Sequence, residues 1–128
     1  MSIQFDLVGI VTHDLERSLE FYRALGWEIP EPQPDDDHFE IALPNGLRVA
    51  WDKVELMKQI LPDWVEPVGH RLGLAFKAGS PAEVDATFNR LTDLGFRGKT
   101  PPWDAFWGQR YAQVEDPDGN VVDLFAPL

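Results

Sequence analysis

The sequence predicts an α+β fold made of two similar halves, each a strand, a helix and then a meander of strands. Two observations lead there. The order of periodicities repeats, with Phe21 answering Phe88 and Leu25-Gly26 answering Leu94-Gly95. Each half alone also carries too little apolar surface to fold by itself, so the halves must pack on one another or on a partner chain. At 128 residues the chain suits one domain with a real core. We read a single domain over 1–128, with module one at about 1–52, a linker at 53–70 and module two at about 71–128.

In the first half, Phe5 to Thr12 reads as a strand through Leu7, Val8, Ile10 and Val11. Asp14 is placed to cap a helix running to about Leu25, and Gly26 suits a left-handed stop. Leu15, Leu19, Tyr22 and Leu25 recur at helical spacing and mark its apolar face. The run Pro30 to Asp37 is a loop. A hairpin follows, His38 to Leu43 and Leu47 to Asp52, joined by a turn at Asn45-Gly46. In the linker, Val54, Met57 and Ile60-Leu61 predict a short amphipathic helix broken by Pro62 and Pro67.

In the second half, Arg71 to Lys77 reads as a strand. Ser80-Pro81-Ala82-Glu83 combines a capping Ser, Pro at the first position and a Glu placed to reach back. Val84, Phe88 and Leu91 form that helix's apolar face, and Gly95 ends it. Gln109 to Glu115 is a strand, Asp118-Gly119 a turn, and Asn120 to Phe125 the last strand.

Composition narrows the function. With 22 acidic against 11 basic residues the net charge is −11, and the bases are scattered, which argues against nucleic acid. No apolar run approaches the roughly 20 residues of a spanning helix, so no membrane is expected. The N-terminus does not read as a signal peptide. With no cysteine, the expected location is the cytoplasm. No catalytic constellation stands out: there is no Cys nucleophile, no evident Ser–His–acid set, and no glycine spacing that cradles phosphate.

One segment stands apart. Trp103-Asp104-Ala105-Phe106-Trp107-Gly108-Gln109-Arg110-Tyr111 packs four aromatics into nine residues beside a tight turn, without a helical stripe. Trp and Tyr offer flat apolar faces with polar edges, which suits a planar ligand. We read Trp107, Trp103 and Phe106 as ligand-binding, with Trp103 on a stiff Pro101-Pro102 loop. Arg110 and Tyr111 alternate, so one of them faces the ligand. His38 can stack and hydrogen-bond together. Trp51 and Asp52, at the end of the first hairpin, complete the candidate set: Trp51 shares its strand face with Leu47 and Val49, so a core role competes evenly with a ligand role, and Asp52 is a polar or cationic contact. Trp27 is expected to plug a helix end and Trp64 to anchor the linker, and Asp35-Asp36-Asp37 to be solvated.

The signature Asp14-Leu15-Glu16-Arg17-Ser18 with Phe21-Tyr22 and Leu25-Gly26, paired with Glu115-Asp116-Pro117-Asp118-Gly119-Asn120, resembles the vicinal oxygen chelate superfamily. That group includes glyoxalase I, extradiol dioxygenases, fosfomycin resistance enzymes and bleomycin-binding proteins. The resemblance implies paired βαβββ modules with curved mixed sheets and a cleft, assembled as a homodimer. It also implies four metal-ligand positions, which fall here at Leu7, about Ala50, Gly73 and Asp123. Three of these side chains have no donor, and one carboxylate does not hold a divalent ion. His13, His38 and His70 lie off the pattern. The expectation is therefore no metal and no cofactor. Closer still, Leu47-Arg48-Val49-Ala50-Trp51-Asp52, Gly69-His70-Arg71, the 102–111 run and Val121-Val122-Asp123-Leu124-Phe125-Ala126-Pro127-Leu128 resemble the mitomycin-resistance proteins and related drug binders. That resemblance implies a protein that traps a planar drug by stacking and performs no chemistry. Two rivals stay open: a metal-dependent lyase or dioxygenase of the same fold, and a metal-free enzyme on an unknown substrate.

Overall fold

The computed structural model describes residues 2–128. In order, it contains β1 (Leu7–Thr12), α1 (Leu15–Ala24), β2 (His38–Ala42), β3 (Arg48–Lys53), α2 (Val54–Ile60), β4 (Leu74–Lys77), α3 (Pro81–Asp93), β5 (Arg97–Ala105), β6 (Gln109–Glu115) and β7 (Val121–Pro127). The strands form two mixed sheets, a three-stranded one in the order β1-β3-β2 and a four-stranded one in the order β4-β7-β6-β5. The fold is α+β, as the sequence predicts. In each sheet the module's first strand runs parallel to its last, and the other pairs are antiparallel.

The helix starts follow their caps. The Asp14 side chain accepts from the Arg17 N–H at 3.0 Å, and Ser80 Oγ accepts from the Glu83 N–H at 3.2 Å. Gly26 and Gly95 follow α1 and α3 with φ of +115° and +91°, the left-handed conformation that glycine adopts without penalty. The two helices also cap each other. Arg17 of α1 donates to the Leu94 carbonyl beyond α3 at 2.9 Å, and Arg90 of α3 donates to the Ala24 carbonyl at the end of α1 at 3.1 Å. A guanidinium suits both the orphan carbonyls and the negative end of the helix dipole.

The core is continuous across the modules. Leu19, Phe21 and Tyr22 of α1, Val49 and Trp51 of β3, Val84 and Leu91 of α3, and Val114, Val122 and Leu124 of the second sheet are buried in one cluster. Phe21 meets Phe96 edge-on at 5.1 Å, and Trp27 stacks on Tyr22 at 5.3 Å, filling the end of α1. The Tyr22 hydroxyl donates to buried Asp116 at 2.8 Å. Asp116 also accepts from the Asp118 and Asn120 backbone N–H groups and from the Asn120 amide. That bonding shapes the Asp-Pro-Asp-Gly turn and ties it to the first module's helix.

Two details depart from expectation. The first module has three strands, not the four that a βαβββ unit implies. Where the second module has β5, residues 28–37 run irregularly. Pro30, Pro32 and Pro34 remove every second backbone donor, and a ladder cannot form on that side. Arg23 instead holds the segment through the Ile29 and Pro30 carbonyls at 2.8 and 3.1 Å. In the second module, Pro101-Pro102-Trp103 is not a loop but part of β5. This is the outer strand of its sheet, where proline is tolerated, and its register shifts twice, between Gly98 and Thr100 and between Thr100 and Trp103.

Candidate functional site

Strand alternation sorts β5, β6 and β7 into two faces. Ala112, Val114, Val122 and Leu124 point to the core beneath α3. The opposite face carries Tyr111 directly across from Trp103 on one side and Phe125 on the other, and Gln113 across from Asp123. Between Ala105 and Gln109 the chain turns through Phe106, Trp107 and Gly108, a three-residue hairpin loop with Gly108 at φ +93°. That turn puts the indole of Trp107 among the face residues. Trp107 meets Trp103 at 5.5 Å, Phe106 at 4.9 Å and Tyr111 at 5.2 Å, each nearly perpendicular. Its indole N–H donates to Gln109 Oε1 at 2.7 Å, which fixes the ring's edge.

The cluster is not core. Trp103 is 38% exposed, Trp107 48% and Phe106 91%. Large aromatics left in solvent at a hairpin tip form an apolar patch of the kind that meets a ligand or partner. A polar floor adjoins them. The Gln113 amide donates to the Tyr111 hydroxyl at 3.2 Å and to Asp123 Oδ1 at 3.0 Å, and its carbonyl accepts from Thr100 at 2.9 Å. Burial, and next the Asp123 carboxylate, push the Tyr111 phenol up to about 12, so it stays a neutral donor at physiological pH.

The other predicted residues divide. His38 and Asp52 lie opposite one another on the open face of the first sheet. His38 Nδ1 is 2.6 Å from Asp52, its Nε2 is 2.8 Å from Glu40, and Arg48 bridges Glu40 at 2.7 Å and Asp6 at 2.6 Å. The bonds from Asp52 and then Glu40 raise the His38 pKa. The state satisfying both nitrogens is the imidazolium, which has no lone pair to act as a base. Among the described residues no hydrogen bond or ring contact joins this polar group to the Trp107 cluster, which lies on the other sheet.

Trp51 and Arg110 do not join the open-face cluster. Trp51 is fully buried on the core side of β3, near Tyr22 and Trp27, and its indole nitrogen has no partner. It shares its face with Val49, and that face turns toward α1. Arg110 points to the helix side, where Asp85 of α3 grips it at 2.8 and 3.0 Å and Asp104 at 3.1 Å. Tyr111 is thus the member of the pair on the open face. Gln113 was missed, although the alternation Gln109, Tyr111, Gln113 against Ala112 and Val114 carries the signal.

The four positions at which the resemblance implies metal ligands are short of donors. Leu7, Ala50 and Gly73 provide none, and one Asp123 oxygen is engaged by Gln113. Among the described residues no group of three or more His, Cys, Asp or Glu is arranged to hold a metal ion. The residues do not fit the group.

Two modules related by an internal repeat, each with a helix on one sheet face and the other face open, define the class to which this protein belongs. The chain is a member of the glyoxalase/bleomycin resistance protein/dioxygenase superfamily, whose family model matches residues 4–124. It is similar to a glyoxalase/bleomycin resistance protein/dioxygenase from Nocardioides, with 29% identity and a TM-score of 0.75 over 100% of this chain and 85% of that one. A glyoxalase-related enzyme from Fulvimarina pelagi shares the fold at 23% identity and a TM-score of 0.82, over 96% and 87% of the two chains. A family enzyme from Burkholderia phytofirmans does so at 19% and 0.84, over 98% and 100%. No curated protein sequence matches the chain. No helix among the described residues is long and apolar enough to cross a membrane.

Proposed function

We propose that this protein binds and sequesters a planar aromatic antibiotic or metabolite on the open face of its second module, conferring resistance by occupancy and not by turnover. The observation that carries the reading is the exposed Trp103–Trp107–Tyr111 cluster beside the Gln113–Asp123 floor. Trp103 and Trp107 keep 38% and 48% of their surface exposed, which leaves ring surface for a flat ligand, and the floor supplies oriented polar contacts. Each aromatic pair adds about 0.5–1.5 kcal/mol beyond burial. Two such contacts plus burial of a drug-sized surface reach the roughly −8 kcal/mol of a micromolar complex. The missing metal donors and the membership of bleomycin resistance proteins in the superfamily support binding over catalysis.

The working form in this reading is a cytoplasmic homodimer. The His38–Asp52 face and the Trp107 face do not meet within one chain, and a second copy brings them together as two walls of a cleft. His38 and Asp52 then contact the polar rim of the ligand.

A fluorescence titration with a panel of planar drugs, with chelator present, tests the proposal. Saturable quenching is expected, Trp107→Ala should weaken it at least tenfold, and the compound should be recovered unchanged by mass spectrometry. Silence across the whole panel would sink the reading. So would an unchanged titration in Trp107→Ala, a requirement for divalent metal, or conversion of the compound.

A further inference from the structure

On the open face of the second sheet, Asp123 is a carboxylate without a counter-ion. It stands across from Gln113, beside the row formed by Trp103, Tyr111 and Phe125. It is half-buried, and its partners are neutral: the Gln113 amide at 3.0 Å and the nearby Tyr111 hydroxyl. Among the described residues no Lys, Arg or His pairs with it. Arg110 is turned to the helix side and held by Asp85 and Asp104. Arg97 and Lys99 lie against Glu115 at 3.6 and 3.7 Å. Lys77 is on the same face, on the far side of Phe125 from Tyr111. A partly desolvated carboxylate that has only neutral partners favours a cationic ligand.

The rings beside it act in the same sense. The face of an aromatic ring is the negative part of its quadrupole, and indole attracts cations best. Trp103 and Trp107 keep surface in solvent within the cluster that includes Tyr111. The Trp107 N–H, a donor that would suit an anion, is already engaged by Gln109 at 2.7 Å. In the dimer reading, the wall set opposite carries three carboxylates, Asp6, Glu40 and Asp52, against two bases, Arg48 and His38. Even with His38 charged, that wall is net negative.

We propose that the planar ligand of this face is a cation, a positively charged heteroaromatic ring system stacked on Trp103 and Trp107 with its charge turned toward Asp123. The inference rests on the planar-ligand reading and narrows it, and Asp123 is the residue that sets the preference. The backbones of β5 and β7 lie about 10 Å apart across β6, a span that a three-ring system covers. A neutral ring of the same shape gains the stacking alone, and an anion meets Asp123 unfavourably.

Three probes with one ring skeleton test it by Trp quenching of the full chain, at low ionic strength and about pH 8. They are N-methylacridinium, a cation; acridine, neutral at that pH; and acridine-9-carboxylate, an anion. N-methylacridinium should bind about tenfold more tightly than acridine, and acridine-9-carboxylate most weakly. This ranking on the parent protein needs no variant. Asp123→Asn keeps an oxygen acceptor for the Gln113 amide. It should bring N-methylacridinium to within about twofold of acridine and leave acridine unchanged. Asp35→Asn removes the same charge from an exposed loop and should keep the preference. If acridine binds as tightly as N-methylacridinium, or the anion binds more tightly, the cation assignment falls while the planar-ligand reading stands. The assignment also falls if the preference survives in Asp123→Asn or is lost equally in Asp35→Asn. Silence from all three probes overturns it too, and the wider drug panel then decides the planar-ligand reading.

Discussion

At the residue scale, burial separates side chains that look alike in sequence. Trp51 and Trp107 both sit in aromatic surroundings near strand ends, yet one is fully buried and the other half exposed. Trp51→Phe should therefore leave planar-ligand affinity within about twofold of the parent, a difference of roughly 0.4 kcal/mol. An affinity loss as large as that of Trp107→Ala would contradict the placement of the two rings. Tyr22→Phe removes the hydroxyl that donates to buried Asp116 at 2.8 Å. A hydrogen bond to a charged group contributes about 1.5–3 kcal/mol, and chemical denaturation should read a loss in that range. His38 gives a pH signature. Its pKa is raised in the folded state, so its contribution is complete below the ordinary value of 6.5 and is lost as pH rises through the folded value. Glu40 has the opposite sense: its pKa is lowered, and its contribution fades as pH falls through the folded value. His38→Gln should thus lower the melting temperature most below the ordinary value of 6.5, with the difference shrinking as pH rises through the raised folded value. The side chain is 46% exposed, so the effect is small. A difference that grew with pH would refute the imidazolium assignment.

At the element scale, β5 controls where the aromatic cluster sits. Its two register shifts and its position at the edge accommodate Pro101-Pro102 while keeping Trp103 opposite Tyr111. Gly98 lies at the first of these shifts, and a Cβ there would come within 2.6 Å of the Phe88 ring and 3.2 Å of the Thr92 methyl on α3. Gly98→Ala should destabilise the protein by about 1–3 kcal/mol through overpacking. It should also disturb the β5–β6 pairing, visible as faster amide exchange along Arg97–Ala105. Unchanged stability would mean that α3 yields more easily than its packing implies. The caps and the Asn45-Gly46 and Asp118-Gly119 turns were legible in the sequence because each depends on a few neighbouring residues. β5 was not, because proline normally argues against a strand and only an edge position suspends that rule.

At the scale of the whole molecule, the modules share one core. Phe21 and Tyr22 of the first pack against Phe96 and Phe76 of the second, and Arg17 and Arg90 cap each other's helices across the boundary. A fragment of residues 1–70 should remain unfolded by circular dichroism, since its helix would expose the face that the second module covers. A cooperative thermal transition from that fragment would show the modules to be separable. The sequence alone determined the α+β class, the twofold repeat, the helix limits, the turns and the absence of donors at Leu7, Ala50 and Gly73. These follow from periodicity, capping and residue chemistry, which act over a few positions. Only the tertiary structure decided that Trp51 and Arg110 turn toward the helices while Tyr111, Trp103 and Trp107 turn outward. It alone also set Gln113 and Asp123 side by side. Side-chain direction depends on which sheet face the helix covers and on bulges that shift the alternation, and both are settled by contacts between residues far apart in the chain.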